Sequence, residues 1–238
     1  MGEAAALHRR GFAPIIVGMQ MFTRHDLTLL FRSLAARMAV EQDYLAELDG
    51  EIGDADHGVS MSVGFAAAAK ALSEGEAAVP MLADGMMLAA RALLNEIGAT
   101  TGPLYASALM RAAQALGATT EIPLARLPEV IIAMSEGIAA RGASKPGDKT
   151  MIDAWAPAAH AVRAGLATEQ DVAHILKDAA SAAAEGAKAT RAMMAVKGRA
   201  ARLGPRSLGH VDPGAASAAA LLDSMAQWAM VRSRPASS

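Results

Sequence analysis

Between residues 25 and 231 the chain is cut by Gly, Pro and Asp into eight stretches of helical period, and almost nothing in it reads as strand. The stretches run over 25–48, 58–72, 80–97, 103–116, 126–141, 149–164, 168–195 and 213–231. In the first, Leu27, Leu30, Leu34 and Met38 recur at spacings of three and four, which lays one apolar stripe opposite a charged face. Gly98 and Gly142 follow helical runs as stops, and Pro80 and Pro103 stand where a first turn tolerates proline. The available side chains agree with this reading. Aromatic residues make up only 3% and Met and Ala abound, a stock that suits closely packed helices better than a sheet built on Val, Ile and Tyr. With 53% apolar residues in 238, no repeat, no long linker and no shift of composition, the expectation is a single all-α domain with a sizeable core.

A net charge of −2 gives no field that would draw nucleic acid or an anionic membrane surface. No apolar run reaches the length of about 18 residues that a membrane-spanning helix needs; the longest N-terminal run, 12–22, is interrupted by Pro14, Gly18 and Gln20. Arg9 and Arg10 ahead of that run imitate the start of an export signal, but no small-x-small cleavage site precedes Thr23. The absence of Cys removes disulfides and thiolate metal sites and fits the cytoplasm.

The densest chemistry lies in Asp49–Gly58, DGEIGDADHG. Asp49, Asp54 and Asp56 fall within eight positions with no Lys or Arg beside them in sequence, a density that a solvated surface would balance and a core would exclude. Convergence on a cation explains such a set, and all-oxygen ligands suit Mg²⁺ or Ca²⁺ rather than zinc. The spacing is not that of an EF-hand, which weakens structural Ca²⁺. The alternative is that these residues only cap helices, as Asp does well, and Asp56 stands just before one. Directly after the acids, His57, Gly58, Val59 and Ser60 open a helix, so backbone N–H groups and a positive dipole end lie beside the acids, where phosphate oxygens fit.

Three further segments carry polar, glycine-rich connections. Gly98–Pro103 (GATTGP) offers the hydroxyls of Thr100 and Thr101 and lacks the Lys of a Walker-type loop. Arg141–Met151 (RGASKPGDKTM) reads as a helix stop followed by Asp148 as an N-cap. The connection 197–212 (KGRAARLGPRSLGHVD) is long, has no helical stripe, and concentrates Lys197, Arg199, Arg202 and Arg206 with His210 in an otherwise acidic protein. Loops of that length are functional or are solvated flexible segments.

These four segments, in this order, resemble the L subunit of dihydroxyacetone kinases, the nucleotide-binding component also found as the C-terminal domain of single-chain kinases. The resemblance covers about residues 23–231 and leaves 1–22 as a tail before a helical domain over 23–238. It implies an antiparallel eight-helix barrel with nucleotide bound among the loops at one end. Carried across position by position, it implies Asp49, Asp54 and Asp56 as ligands of Mg²⁺, two ions in the family. It also implies His57, Gly58, Val59, Ser60, Thr100, Thr101, Gly102, Gly142, Met151, Arg199, Asp212, Pro213 and Gly214 as contacts of ADP or ATP, with the three acids and Arg199 carrying the catalysis. The basic loop would cover the phosphates. Two positions depart from the family pattern: Ser60 stands where Asn is common, and Ala99 replaces a glycine of the GATTGP turn.

The function so implied is phosphoryl transfer to dihydroxyacetone or a related small ketose held on a separate K subunit. The phosphoryl group comes either from ATP or from ADP recharged by a phosphohistidine carrier. A homodimer is a further partner compatible with the family, and no nucleic acid or membrane is involved. The alternative from another class is a nucleotide-sensing partner of a transcription factor.

Overall fold

The computed structural model describes residues 20–98 and 100–233; the tail expected over 1–22 otherwise lies outside the described residues, as do the Arg9–Arg10 pair and Ala99. Among the described residues there are eight α-helices: α1 (Arg24–Ile52), α2 (His57–Glu74), α3 (Leu82–Glu96), α4 (Thr101–Leu116), α5 (Glu129–Gly142), α6 (Ile152–Ala167), α7 (Val172–Ala189) and α8 (Pro213–Arg232). Each packs on its neighbours in sequence, and α8 packs back on α1, so the helices close into a ring. Short connections make most neighbours antiparallel, and the long one from α7 to α8 returns to the end it left, its Thr190 and His210 carbonyls both bonded by Lys149. The result is the all-α, antiparallel eight-helix barrel that the sequence resemblance implies.

Local chemistry starts and stops these helices. Thr23 opens α1 with a capping box, accepting from the Asp26 N–H while the Asp26 carboxylate accepts from the backbone N–H of Thr23 at 2.9 Å. Asp171 and Asp212 cap α7 and α8 without the reciprocal bond, each side chain accepting from one backbone N–H, that of His174 and that of Ala215. Inside the ring the apolar stripes of all eight helices meet. Leu27, Met38, Leu72 and Leu93 are fully buried, and runs of buried alanine let helix backbones approach. Four of the aromatic rings form one chain through the centre: Phe31 stacks on Phe65, Phe65 meets Tyr105 edge-on at 5.7 Å, and Tyr105 meets Trp155 edge-on at 6.4 Å. Burial pushes the Tyr105 phenol up to about 12.

Several expectations are corrected. Met21 and Phe22, counted with the tail, belong to the fold: Met21–Thr23 pairs antiparallel with Glu121–Pro123 as a two-stranded ribbon, and Phe22 is fully buried against Trp228. The helix expected over 126–141 begins only at Glu129, because Leu124–Arg126 forms a 3-10 turn behind the ribbon. The one expected over 168–195 spans Val172–Ala189: its start follows a turn with Glu169 in the left-handed region, and the Thr190 hydroxyl bonds back to the Ala187 carbonyl at its end. The 197–212 connection is not structureless, since Ala200–Ser207 winds into 3-10 turns kinked at Gly204. Asp148 is not the N-cap of α6. Its carboxylate accepts from Lys145 N–H, while Asp153, inside the first turn, accepts from the N–H groups of Gly147 and Thr150.

Candidate functional site

Alternation of direction sorts the connections. The segments 53–56, 97–100, 143–151 and 190–212 all fall at the end of the barrel where α1, α3, α5 and α7 finish, and the other three connections fall at the opposite end. The four glycine-rich or charged motifs, scattered over 160 residues of sequence, are thereby gathered on one face. The same alternation turns the N-termini of α2, α4, α6 and α8 toward that face, four positive dipole ends with backbone donors. A cleft of about 290 Å³ opens among them.

The acids stand on one side of it. Asp49 occupies the last turn of α1 and is 7% exposed; Asp54 and Asp56 follow on the short connection and are exposed. One carboxylate oxygen from each can be chosen so that all three lie within 4.8 Å of one another. That spacing and the all-oxygen donor set fit a hard divalent cation. The backbone contributes to this arrangement, because Ala55 between the two exposed acids adopts a left-handed conformation at φ 62°. The Asp49 carboxylate also accepts from the N–H groups of Asp56 at 2.9 Å and His57 at 3.2 Å. Helix capping and convergence on a cation are therefore not alternatives here: Asp49 caps α2 from a distance, while neither Asp54 nor Asp56 caps a helix with its side chain. The acids do have a base, which the sequence placed far away. The Arg199 guanidinium pairs with Asp54 and lies 3.3 Å from Asp56. Hydrogen bonding to Asp56 and the charges of all three acids hold Arg199 above its ordinary value.

His57 lies at the start of α2, buried, with Nε2 2.9 Å from Ser217 Oγ on α8. Burial lowers its pKa, against the pull of Asp49 and Asp56, and so favours the uncharged imidazole. Ser60 lines the cleft one turn further on, as do Thr100 and Thr101 at the head of α4 and Gly142 at the end of α5. Met151 is 5% exposed and forms an apolar wall opposite, beside Asp212, Pro213 and Gly214 at the head of α8. Burial pushes the Asp212 carboxyl up to about 7. Four of the expected residues, Asp54, Gly58, Val59 and Gly102, lie off the lining, although Asp54 still joins the acid cluster and pairs with Arg199. Val59 is 49% exposed on the outside of α2, and Gly58 and Gly102 sit where a backbone passes so close that a Cβ would overlap the carbonyl oxygens of Gln42 and Ile97.

Sequence reasoning missed Ser144, Lys149 and Thr150, which also line the cleft beside Lys197 of the basic connection, and Ser217 and Asp153, which support it. Lys149 and Thr150 fall inside the RGASKPGDKTM segment, so a signal existed; nothing in sequence pairs Ser217 with His57, 160 positions away.

A helical barrel with such a face is what comparison with known proteins returns. The DAK2 domain family matches residues 51–227, and the chain belongs to that family. Among its relatives, the ADP-binding subunit DhaL of the PEP-dependent dihydroxyacetone kinase of Escherichia coli is 38% identical over 193 residues, covering 79% of this chain and 89% of that protein. The ADP-binding subunit DhaL of the PTS-dependent dihydroxyacetone kinase of Lactococcus lactis is 34% identical over 182 residues, covering 76% of this chain and 85% of that protein. The L-erythrulose 1-kinase of Mycolicibacterium smegmatis is 33% identical over 183 residues, and the match spans 77% of this chain but 32% of that enzyme. Among solved structures, the dihydroxyacetone kinase of C. freundii in complex with AMP-PNP and Mg²⁺ superposes with a TM-score of 0.65 at 24% identity, over 95% of this chain and 38% of that one, and shows the shared fold.

Proposed function

We propose that this chain is the nucleotide-binding subunit of a kinase that phosphorylates dihydroxyacetone or a close small ketose, with the ketose held on a separate K subunit. The observation that carries the reading is the meeting, at one end of the barrel, of three convergent carboxylates, four helix N-termini and Arg199. The relatives matched over 85–89% of their length are named ADP-binding subunits, whereas the single-chain erythrulose kinase is matched over 32%. That contrast favours a divided enzyme, and it favours a retained ADP recharged by a phosphohistidine carrier over exchange of ATP.

In this reading Asp49, Asp54 and Asp56 hold Mg²⁺, two ions by analogy with the family, and bound Mg²⁺ supplies the charge that offsets the phosphate oxygens. The chain's own residues do the rest. The first turns of α2, α4 and α8 present backbone donors to the phosphates, and Ser60 and the Thr100–Thr101 pair add hydroxyls. Neutral His57, fixed by Ser217, donates or accepts without bringing a competing cation. Met151 and the head of α8 form the apolar side on which a base can lie. Arg199 turns from the carboxylates toward phosphate when anionic charge arrives, so positioning and charge stabilisation carry the transfer.

Calorimetric titration of ADP and ATP into metal-stripped protein, with and without Mg²⁺, tests this reading. Binding is expected only with Mg²⁺ and is expected to vanish in Asp54→Ala. Turnover of ketose is expected only after a K subunit and a phosphoryl donor are added. Nucleotide that fails to bind under any of these conditions sinks the proposal, and full turnover by the isolated chain with ATP sinks the divided-enzyme part of it.

A further inference from the structure

Lys149 is 1% exposed, and it holds a left-handed backbone conformation at φ 58° although it is not glycine. Such a conformation persists in an L residue only where its surroundings over-determine it, and it collects at functional sites. Its ammonium donates to the backbone carbonyl of Thr190 at 2.7 Å and to that of His210. Those two residues bracket the 191–209 segment, which carries Arg199. Other bonds close the same neck: Arg191 Nε donates to the Gly209 carbonyl at 2.8 Å, Gly209 N–H donates to the Arg191 carbonyl at 2.9 Å, and Asp212 N–H donates to Thr190 Oγ1 at 2.9 Å. Beyond the neck, the segment rests on α1 through a small apolar cluster of Ile52, Ala195, Ala200 and Leu203. Two further contacts reach the segment and its flank from outside, His210 Nδ1 2.8 Å from the Glu51 carboxylate and the Val196 N–H donating to the Asp148 carbonyl at 3.3 Å, but of the outside groups named here Lys149 alone bonds both ends of the neck and places a buried full charge on it. A charge-assisted bond inside a protein is stronger than a neutral one, and leaving two buried carbonyls without their donor is costly.

We propose that Lys149 is a positioning residue for nucleotide binding: its ammonium clasps both ends of the 191–209 segment and so fixes where Arg199 stands against the cleft. The proposal rests on the nucleotide-binding reading above and adds to it a residue that acts through another. A lysine serving only as core filler would influence stability alone. One that touched the phosphates itself would act independently of Arg199.

Two measurements on the full chain decide among these. The first is limited trypsin digestion without nucleotide, with cleavage at Lys197, Arg199, Arg202 and Arg206 followed by mass spectrometry and compared with cleavage at Arg126. Lys149→Met is expected to speed the segment's cleavage about tenfold or more relative to Arg126, because proteolysis follows the population of the open form. The second is a double-mutant cycle on ADP affinity with Mg²⁺ present. Lys149→Met is expected to weaken binding about tenfold in the wild-type background and less than about threefold in the Arg199→Ala background. Lys149→Gln, which can reach one carbonyl without a charge, is expected to fall between and serves where the Met variant does not fold. Unchanged digestion and affinity would overturn the clasp, and an equal loss of affinity in both backgrounds would overturn positioning in favour of direct contact. Wild-type protein that bound no ADP would overturn the nucleotide reading itself, while the digestion pattern would still show whether Lys149 closes the neck.

Discussion

The guanidinium of Arg199 closes on the carboxylate of Asp54, 145 positions earlier in the chain, and reaches Asp56 as well. In this pairing Arg199 competes with any divalent ion for the same carboxylates, yet its charge suits the phosphates that such an ion would bring. Arg199→Ala is therefore expected to act with opposite signs on two affinities. Mg²⁺ alone binds about two- to fivefold more tightly, since an exposed ion pair is worth well under about 1.5 kcal/mol. ADP with Mg²⁺ binds about tenfold more weakly or worse, through the lost charge-assisted bonds. Titration calorimetry of each ligand separately reads both signs; a fall in both affinities would mean that Arg199 does not oppose the metal.

The acids differ in what else they hold. Asp49 binds two backbone N–H groups at the head of α2, whereas Asp54 is exposed and its side chain caps nothing. Asp49→Ala is expected to lose about 1–2 kcal/mol of stability in urea unfolding as well as Mg²⁺-dependent nucleotide binding. Asp54→Ala is expected to lose the binding while staying within about 0.5 kcal/mol of wild-type stability.

Gly58 marks the closest approach of α2 to α1, where an added Cβ would overlap the Gln42 carbonyl oxygen and press on Ala46 N. Backbone atoms on both sides leave little room to yield. Gly58→Ala is expected to destabilise by about 1–3 kcal/mol or more and to separate the acids from the head of α2. Gly214→Ala, whose Cβ would meet the Asp212 carboxylate and Met151 at 3.0 Å or more, is expected to cost clearly less. Thermal unfolding of the two variants side by side checks the order.

The half-buried residue Asp212 turns its carboxylate inward to cap α8, and burial pushes that carboxyl up to about 7 from 3.8. Between those values the folded chain holds a proton that the unfolded chain has released, so unfolding is favoured as pH rises through the window. The group's contribution is thus fully present below the unfolded value and is lost by the time pH passes about 7. Comparing wild type with Asp212→Asn in denaturant between about pH 4 and about pH 8 isolates this group. Wild type is expected to lose about 1–4 kcal/mol more than the variant across the range; parallel curves would show that Asp212 is ionised throughout.

Periodicity made the eight helices legible, because their stripes are built from residues whose burial follows a local spacing. The ends were less so. α7 passes after Ala189 into a 3-10 turn over Thr190–Ala192 and breaks at the extended Met193, and no pattern of apolar residues announces that change of winding. The ribbon of Met21–Thr23 with Glu121–Pro123 was illegible for a similar reason, since two three-residue strands carry too few residues to show alternation. The acids, the hydroxyl pair of the GATTGP turn and the basic connection were visible as local clusters. Their meeting was not, because it depends on the direction in which each helix runs. Pairings such as His57 with Ser217, or Lys149 with two carbonyls, involve partners that are chemically ordinary until the ring is closed.

Arg232, at the end of α8, donates to Asp26 at the start of α1 at 2.8 Å, while the cleft lies at the other ends of both helices, about 35 Å away along α1. A ring joined at that seam has no privileged first helix. Cutting it in the turn after α2 or α6 and joining α8 to α1 by a short linker would leave every cleft residue on the same helix ends. An additional domain fused at the seam would hang from the face remote from the cleft, and could reach the bound ligand only by folding back along the length of the barrel or by offering its own substrate from a second copy.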